Sequence, residues 1–256
     1  MVERSMLRLY VAIGDSTAVH MTSSAAIANR VASIRERIET ATRRSGRTVD
    51  DITLMAVTKT QPVESIVAAY EAGIRSFGEN RVQEFAAKHE SLRSLTGAQF
   101  ALIGRLQSNK AGKAIELFSA IHSVDSLRLA ERISMLVTRA GHSAFPIAIE
   151  INVGDPAKAG LGPDSPELEQ LLRAAERLPG ISITGLMTIP PFTDDPEGAR
   201  PSFRKLSELR DRIAARSLPA VRMDLLSMGM SHDFEVAIEE GSTCVRVGTA
   251  IFGERG

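Results

Sequence analysis

Lys59 stands at the end of an apolar stretch, where its amine is placed to do covalent chemistry. Residues 52–57 are mainly apolar or β-branched and contain no turn residue, which is typical of a buried strand. Pro62 follows and suits the first turn of a helix. A lysine between a strand and a helix can have its pKa lowered by burial and can form a Schiff base with an aldehyde. Taken alone, Lys59 favours another interpretation, an exposed lysine at a strand end.

Small residues cluster in two later stretches, LSMGMS at 226–231 and VRVGTA at 245–250. In a barrel of alternating strands and helices, the loops after strands seven and eight form the usual phosphate site. Backbone N–H groups and hydroxyls there can meet phosphate oxygens. The two stretches together predict a phosphate site made of Ser227, Gly229, Gly248 and Thr249. Either stretch alone favours a simpler interpretation, a tight turn that requires glycine.

A Schiff-base lysine opposite a phosphate site suggests pyridoxal 5′-phosphate (PLP), which carries an aldehyde and a phosphate on one ring. On chemistry alone, an aldolase-type Lys59 that acts on a phosphorylated sugar is the rival hypothesis. Arg246 bears on the choice, because an arginine that points inward from strand eight needs an acceptor. A pyridine nitrogen is one such acceptor, and a carboxylate in a structural ion pair is the other. The spacing of the residues does not choose between them.

The composition excludes several classes of function. The chain has 256 residues, 43% of them hydrophobic and 24% charged, as in ordinary soluble globular proteins. Its formal net charge is zero, so no surface for nucleic acid or for an acidic membrane is predicted. Cys244 is the single cysteine, and no His-x-x-x-His or Cys-x-x-Cys spacing occurs, so we expect neither a disulfide nor a metal site. The expected location is the cytoplasm.

Strand-like and helix-like segments alternate along the chain. Strands are predicted at 52–59, 76–80, 99–104, 120–124, 145–153, 181–189, 224–228 and 244–252. The intervening segments carry apolar residues at helical spacing. Eight such units predict an α/β fold, a single (β/α)8 TIM-type barrel. The competitor is an open doubly wound sheet, against which no Gly-x-Gly-x-x-Gly follows the first strand.

The first predicted helix begins at Ser24, which suits an N-cap. Its apolar stripe consists of Ile27, Val31, Ile34 and Ile38. Residues 1–23 precede it and are expected to form a flexible extension, whose apolar segment is too short to span a membrane. We therefore expect residues 24–256 to form the barrel domain. A Gly-rich loop with Asn152 and Lys158 is predicted either to border the site or to be a plain surface loop.

Six motifs follow one another along the chain. They are AVTKTQP at 56–62, FGENRVQE at 77–84, IGRLQSNK at 103–110, GLMTIP at 185–190, LSMGMS at 226–231 and GSTCVRVGTAIFG at 241–253. Together they closely resemble the pyridoxal phosphate homeostasis protein family. The resemblance runs from about residue 25 to 255 and departs from the usual residues at Thr58 and Arg105. It implies a single-domain barrel similar to the N-terminal domain of alanine racemase.

The resemblance also implies roles for individual residues. Lys59 would be the Schiff-base lysine, Arg246 would meet the pyridine nitrogen, and Asn80 would lie beside the ring. The phosphate would be held by Ser227, Gly229, Gly248 and Thr249, with Met228 in the same loop. The implied function is to hold PLP for intracellular PLP homeostasis. PLP-dependent apoenzymes are the candidate recipients of the PLP that the protein holds. We expect a monomer or a weak dimer.

The alternative function is a PLP-dependent amino-acid racemase. Racemisation needs proton donors on both faces of the substrate α-carbon, and Lys59 can serve one. In alanine racemases a tyrosine from a second domain serves the other, and we expect no second domain here. Tyr10 falls in the extension and Tyr70 in the helix after strand one, which leaves His122 and His232 as candidate donors. An arginine at the ring nitrogen would keep the ring unprotonated and a weak electron sink, which favours a binding protein.

Overall fold

The computed structural model describes residues 3–154 and 159–253, with side chains from residue 24 onward. Within these ranges the strands are β1 (Thr53–Val57), β2 (Ser76–Glu79), β3 (Gln99–Leu102), β4 (Ala120–Val124), β5 (Phe145–Glu150), β6 (Ile181–Met187), β7 (Val221–Met230) and β8 (Cys244–Val247). The strands form a closed barrel in chain order, and each runs parallel to its neighbours. β1 pairs with both β2 and β8, which confirms the predicted barrel and excludes the open sheet.

Helices alternate with these strands and cover the outside of the barrel. They are α1 (Glu3–Arg44), α2 (Val63–Glu71), α3 (Val82–Leu92), α4 (Ala111–Leu117), α5 (Leu127–Arg139), α6 (Pro166–Ala174), α7 (Arg200–Ala214), α8 (Phe234–Glu239) and α9 (Thr249–Phe252). Short 3₁₀ helices lie at Val49–Asp51, Ser108–Lys110, Ala175–Arg177 and Pro196–Ala199. Strands that are covered by helices outside and by side chains inside need apolar residues on both faces, which explains their nearly continuous apolar sequences.

Alternate residues of each strand face opposite sides of the barrel wall. Met55 packs inside the barrel with Ala101, Ile103 and Cys244. Ala56, the next residue of β1, belongs instead to the larger core between the strands and the helices. The inner core is small, which leaves room for polar side chains towards the carboxyl ends of the strands.

The eighth strand is shorter than predicted, because β8 ends at Val247 instead of continuing to residue 252. Gly248 turns the chain into α9, so the apolar residues that follow pack from a helix rather than from a strand. Apolar runs of this length suit a strand and a buried helix equally well, which is why the sequence pattern is misleading here.

The predicted N-cap at Ser24 is wrong, because α1 runs without interruption from Glu3 to Arg44. The predicted apolar stripe is confirmed, since Ile27, Val31, Ile34 and Ile38 are all buried. That residues 1–23 form a flexible extension stays a prediction. Lys158 lies outside the described residues. In the part of the chain that the structure describes, none of the helices is long and apolar enough to cross a membrane.

Candidate functional site

Lys59 lies between β1 and α2, as the sequence predicts. β1 ends at Val57, Thr58 is completely buried, and Lys59 is half-buried in the turn that follows. Pro62 takes the N-cap position of α2, one residue earlier than its predicted place in the first turn. Lys59 is therefore at the carboxyl end of a barrel strand, the face on which barrel enzymes carry their active sites.

The ends of β8 and β1 lie next to each other because the barrel is closed. Arg246 of β8 is in register with Met55 of β1. Further along, a β-carbon built on Gly248 would lie 3.5 Å from the Cβ of Val57. Two of the regions predicted to form the site, at Lys59 and at Gly248, are thus brought together by strand pairing.

Arg246 is buried, 3% exposed, with its guanidinium between β7 and the end of β6. Its Nη1 donates to the carbonyl and the hydroxyl of Ser227, both at 2.7 Å, and its Nη2 donates to the carbonyl of Thr188 at 2.7 Å. None of these acceptors is a carboxylate, so these contacts differ from the structural ion pair considered from the sequence. Burial lowers the pKa of Arg246, but a guanidinium keeps its proton in proteins.

The guanidinium of Arg246 retains hydrogen-bonding capacity. A guanidinium has five N–H donors. Among the described residues, the Nε–H of Arg246 has no hydrogen-bond partner, and Nη2 donates to Thr188 alone. A donor of this kind, held rigidly inside the barrel, fits a ring nitrogen that needs one. The residues present therefore fit the pyridine nitrogen that the sequence suggests for this position.

The three predicted residues of β7 have different environments. Ser227 is completely buried, and its hydroxyl accepts from Arg246. The Met228 side chain is packed in the core between strands and helices. Gly229 has a φ of +91°, and a β-carbon there would lie 2.5 Å from the Cβ of Ala237 in α8, so only glycine fits. Their roles at a phosphate stay predictions, and the contact made by Ser227 indicates that it positions Arg246.

Ser231 links the two loops that were predicted to bind phosphate. Its hydroxyl accepts from the backbone N–H groups of Gly248, at 3.2 Å, and Ala250, at 3.3 Å. The sequence pattern predicts Ser231 together with Asp233 as the N-cap of α8, and this is only partly right. Asp233 occupies the N-cap position, but its carboxylate accepts from the N–H of Met230. The two residues whose N–H groups donate to Ser231, Gly248 and Ala250, flank Thr249 in the chain. Thr249 itself is exposed.

Asn80 lies immediately after β2, half-buried and next to the end of β3. Gly104 makes this position possible, because a β-carbon on it would lie 2.3 Å from the carbonyl oxygen of Asn80. Ile103 donates its N–H to the carbonyl of Glu79 and continues the strand pairing up to this point. The backbone of Asn80 is therefore held tightly at the same carboxyl end of the barrel as Lys59.

Two buried titratable side chains, His122 and Glu150, are close enough to Arg246 for its charge to change their pKa values. His122 lies in β4, and its Nδ1 is buried without a hydrogen-bond partner among the described residues. Burial, with the nearby charge of Arg246, lowers the pKa of His122 to about 4. Glu150 ends β5, and burial together with the charge of Asp125 raises its pKa, against the opposite effect of Arg246. His122 is therefore neutral at pH 7 and lies in the barrel wall rather than at a strand end.

Two other residues singled out from the sequence have plain environments. His232 is exposed, and its ring is tilted by 32° to that of Phe192, with the centroids 5.7 Å apart. Its Nε2 lies 3.1 Å from the carbonyl oxygen of Asp194. Cys244 is buried in the inner core, where burial raises its thiol pKa to about 11. A thiol in this state packs as a small apolar group and is a poor nucleophile. Among the described residues, no group of acidic, histidine or cysteine side chains could hold a metal ion.

Comparison with known proteins identifies the family. The family model of the alanine racemase N-terminal domain matches residues 29–256. A pyridoxal phosphate homeostasis protein of Aquifex aeolicus is 44% identical over 227 residues, which cover 88% of this chain and 97% of that protein. This chain belongs to the pyridoxal phosphate homeostasis protein family. The family membership inferred from the six motifs is thereby confirmed.

Solved structures of related proteins agree with the family assignment. PipY of Synechococcus elongatus, solved with PLP bound, is 37% identical with a TM-score of 0.77, and the match covers 89% of this chain and all of that one. An alanine racemase of Clostridium difficile is 16% identical with a TM-score of 0.66, over 86% of this chain and 55% of that enzyme. The second likeness concerns the fold alone. Together with the family model, it confirms that this barrel resembles the N-terminal domain of alanine racemase.

Two contributors to the candidate site were not predicted from the sequence. The carbonyl of Thr188 accepts from Arg246, and the hydroxyl of Ser231 binds the turn after β8. Both lie inside motifs that the resemblance already covers, GLMTIP and LSMGMS. The motifs were therefore the signal that pointed to both residues. The contact of Thr188 does not follow from its residue type, because a backbone carbonyl makes it. The contact of Ser231 depends on how the two loops pack together.

Proposed function

We propose that this protein binds PLP through Lys59 and holds it for intracellular PLP homeostasis. The observation that carries the proposal is Arg246, a buried guanidinium on the strand adjacent to β1 with a donor left over for a ring nitrogen. The names of its relatives support the homeostatic role, and the PLP-bound structure of PipY supports the cofactor.

Each proposed contact uses a group that the fold already holds in place. When bound, PLP supplies an aldehyde that condenses with a lysine amine, with release of water. Lys59 provides that amine from the turn after β1, and Arg246 donates to the ring nitrogen. Ser227 orients Arg246 through the hydrogen bond to its hydroxyl. The turn at Gly248 and Thr249, together with the loop at Gly229, is the proposed phosphate contact. Ser231 already accepts from the Gly248 N–H, so the Thr249 N–H and hydroxyl are the proposed donors of that turn. Asn80 is the proposed neighbour of the ring.

We infer that the protein is a PLP carrier rather than a racemase. Arg246 donates and cannot accept, so the proposed contact leaves the ring nitrogen unprotonated and the ring a weak electron sink. His122 has its pKa lowered to about 4, which makes it a poor partner for Lys59 in a two-base mechanism at neutral pH. Tyr70 donates its hydroxyl to the carbonyl of Thr96 at 2.8 Å. The side chain of Tyr10 lies outside the described residues.

The cellular part of the proposal concerns location and recipients. We propose that the protein acts in the cytoplasm as a monomer or weak dimer and that PLP-dependent apoenzymes receive its cofactor. The single, buried cysteine is compatible with a reducing compartment. Transfer can be measured directly by mixing the PLP-loaded protein with a PLP-free enzyme and following the recovery of that enzyme's activity.

The test of PLP binding is visible absorbance followed by chemical trapping. We expect the protein mixed with PLP to absorb in the visible range, borohydride to bleach the band, and peptide mass mapping to find the adduct on Lys59. Lys59→Ala should remove this adduct and leave the melting temperature unchanged, because it deletes a half-buried turn side chain and no core volume. Lys113→Ala, at an exposed position of α4, is the control. A colourless mixture, or an unaltered adduct in Lys59→Ala, would contradict the proposal.

A further inference from the structure

The turn that carries Lys59 has an unfavourable backbone conformation. Thr60, directly after Lys59, has a φ of +63°, a value that β-branched residues rarely adopt. Such a conformation persists only where surrounding contacts enforce it, and it is common at functional sites. Thr60 must therefore be held in place by contacts from outside the turn.

Lys88 of α3 provides one part of this support. Its side chain is only 13% exposed, although it carries a charge. Its Nζ lies 3.3 Å from the carbonyl oxygen of Thr58, 3.4 Å from Oε1 of Glu79 and 2.8 Å from Oε1 of Glu84. One ammonium group, which has three donors, thus joins the residue before Lys59 to two carboxylates.

The two carboxylates complete the support on both sides of Lys59. Glu84 accepts from the backbone N–H of Thr60, the residue after Lys59. Glu79, which is completely buried at the end of β2, accepts from the hydroxyl of Thr58 at 2.8 Å. Its second oxygen, Oε2, is buried without a hydrogen-bond partner among the described residues. Placing a carboxylate in this environment is costly unless a nearby cation compensates it, and Lys88 is that cation.

We propose that Lys88, Glu79 and Glu84 form a clamp that fixes the turn on both sides of Lys59 and so presents its amine to the cofactor. The clamp residues are positioning residues, because they contact Thr58 and Thr60 rather than the ligand. Since Glu79 directly precedes Asn80, the same clamp ties the ends of β1 and β2 together. This inference rests on the proposed PLP function for its purpose, but the contacts themselves can be tested without the cofactor.

The first experiment measures the turn in the protein without PLP. In Lys88→Met the side chain keeps a similar length but donates no hydrogen bond, so the Thr58 carbonyl and Glu84 both lose a partner. Hydrogen exchange by mass spectrometry should show faster exchange of the Thr60 amide. Lys113→Met, which removes an exposed lysine paired with Glu116 on α4, is the matched control and should leave this exchange unchanged.

The second experiment compares PLP with 4′-deoxypyridoxine 5′-phosphate, an analogue that has a methyl group in place of the aldehyde. The analogue can use the ring and phosphate contacts but cannot react with Lys59. We expect Lys88→Met to weaken PLP binding by about tenfold, because a misplaced amine loses its alignment with the aldehyde. Binding of the analogue should change little, which a general loss of structure would not reproduce.

A double variant keeps the clamp testable even if Lys88→Met fails to fold. Lys88→Met leaves Glu79 as an uncompensated buried carboxylate, whereas Glu79→Gln/Lys88→Met removes both buried charges. We expect the double variant to fold and to show the same selective loss of PLP binding. Unchanged Thr60 exchange, or equal weakening of PLP and the analogue, would overturn the clamp. Failure of the unmodified protein to bind PLP or the analogue would instead overturn the proposed function, and the exchange measurement would still decide on the clamp.

Discussion

Arg246 combines a structural role with the proposed contact to the cofactor, and the two can be separated by measurement. Arg246→Ala should weaken PLP binding more than Asn80→Ala does, because it removes a charged donor from a buried position. It should also lower the free energy of unfolding by about 1–3 kcal/mol, since the carbonyls of Ser227 and Thr188 lose their donor. PLP titration and urea unfolding measure the two effects. The reverse order of affinities would contradict the role of Arg246.

His122 predicts how the stability of the PLP-free protein depends on pH. The unfolded chain protonates this histidine near its usual pKa of 6.5, whereas the folded protein does so only near pH 4. The contribution of His122 to stability is therefore complete above pH 6.5 and is lost as the pH falls towards 4. Between about pH 7.5 and pH 5, the free energy of unfolding should fall by about 2 kcal/mol through this residue.

The test of the His122 prediction is a comparison of slopes. In His122→Gln this part of the loss of stability on acidification should disappear, whatever the variant's stability at neutral pH. Urea unfolding at several pH values measures the slope, with His142→Gln, at an exposed position, as the control. Equal slopes in the unmodified protein and in His122→Gln would show that His122 is not buried in the neutral form.

Among the elements, the ends of β2 and β3 lie in close contact, and this contact fixes the position of Asn80. Gly104→Ala would place a β-carbon 2.3 Å from the carbonyl oxygen of Asn80, so the two loops must separate. We expect a loss of about 1–3 kcal/mol in the free energy of unfolding, as for other overpacking substitutions, and weaker PLP binding. Thermal unfolding and PLP titration measure both.

Gly112→Ala is the control for this substitution. A β-carbon on Gly112, in α4, would have no neighbour within 4 Å, and alanine is favoured over glycine inside a helix by up to about 1 kcal/mol. This variant should be as stable as the unmodified protein or more so, with unchanged affinity for PLP. Tolerance of alanine at position 104 would contradict the close contact between the two strand ends.

In the molecule as a whole, α1 packs against α2, α8 and α9 outside the barrel, and its later residues anchor it there. Among the described side chains of α1, the buried ones run from Ile27 to Thr42, and Arg37 forms an ion pair with Glu235 of α8 at 2.7 Å. Deletion of residues 2–23 should therefore leave the melting temperature and the PLP affinity unchanged. Calorimetry and PLP titration of the shortened chain measure this, and a marked loss of stability would contradict the predicted extension.

A longer deletion supplies the contrast. Removal of residues 2–34 also deletes Ile27, Val31 and Ile34, each of which is almost fully buried. Burial of such a side chain contributes about 1.5–3 kcal/mol, so this deletion should destabilise the barrel severely. Similar stability of both shortened chains would mean that the buried side chains of α1 contribute little to the free energy of unfolding.

The order of strands and helices, the barrel and the position of Lys59 were all predictable from the amino-acid sequence. These depend on the periodicity of apolar residues and on local turn residues such as Pro62, which are written in consecutive positions. The motifs added the family and hence the expected cofactor. Local patterns were unable to locate the end of β8 or the start of α1, because a buried strand and a buried helix look alike over a few residues, and Ser24 is also tolerated inside a helix.

The hydrogen-bond partners of the candidate site residues became visible in the folded molecule. Arg246 meets Ser227 and Thr188, which are distant in sequence and are brought together by the pairing of β6, β7 and β8. Lys88 of α3 reaches Thr58 directly after β1, and its contact there is to a backbone carbonyl, which residue types do not reveal. The physical reason is that hydrogen bonds between separate elements depend on distances of a few ångströms, which packing fixes and a linear pattern does not contain.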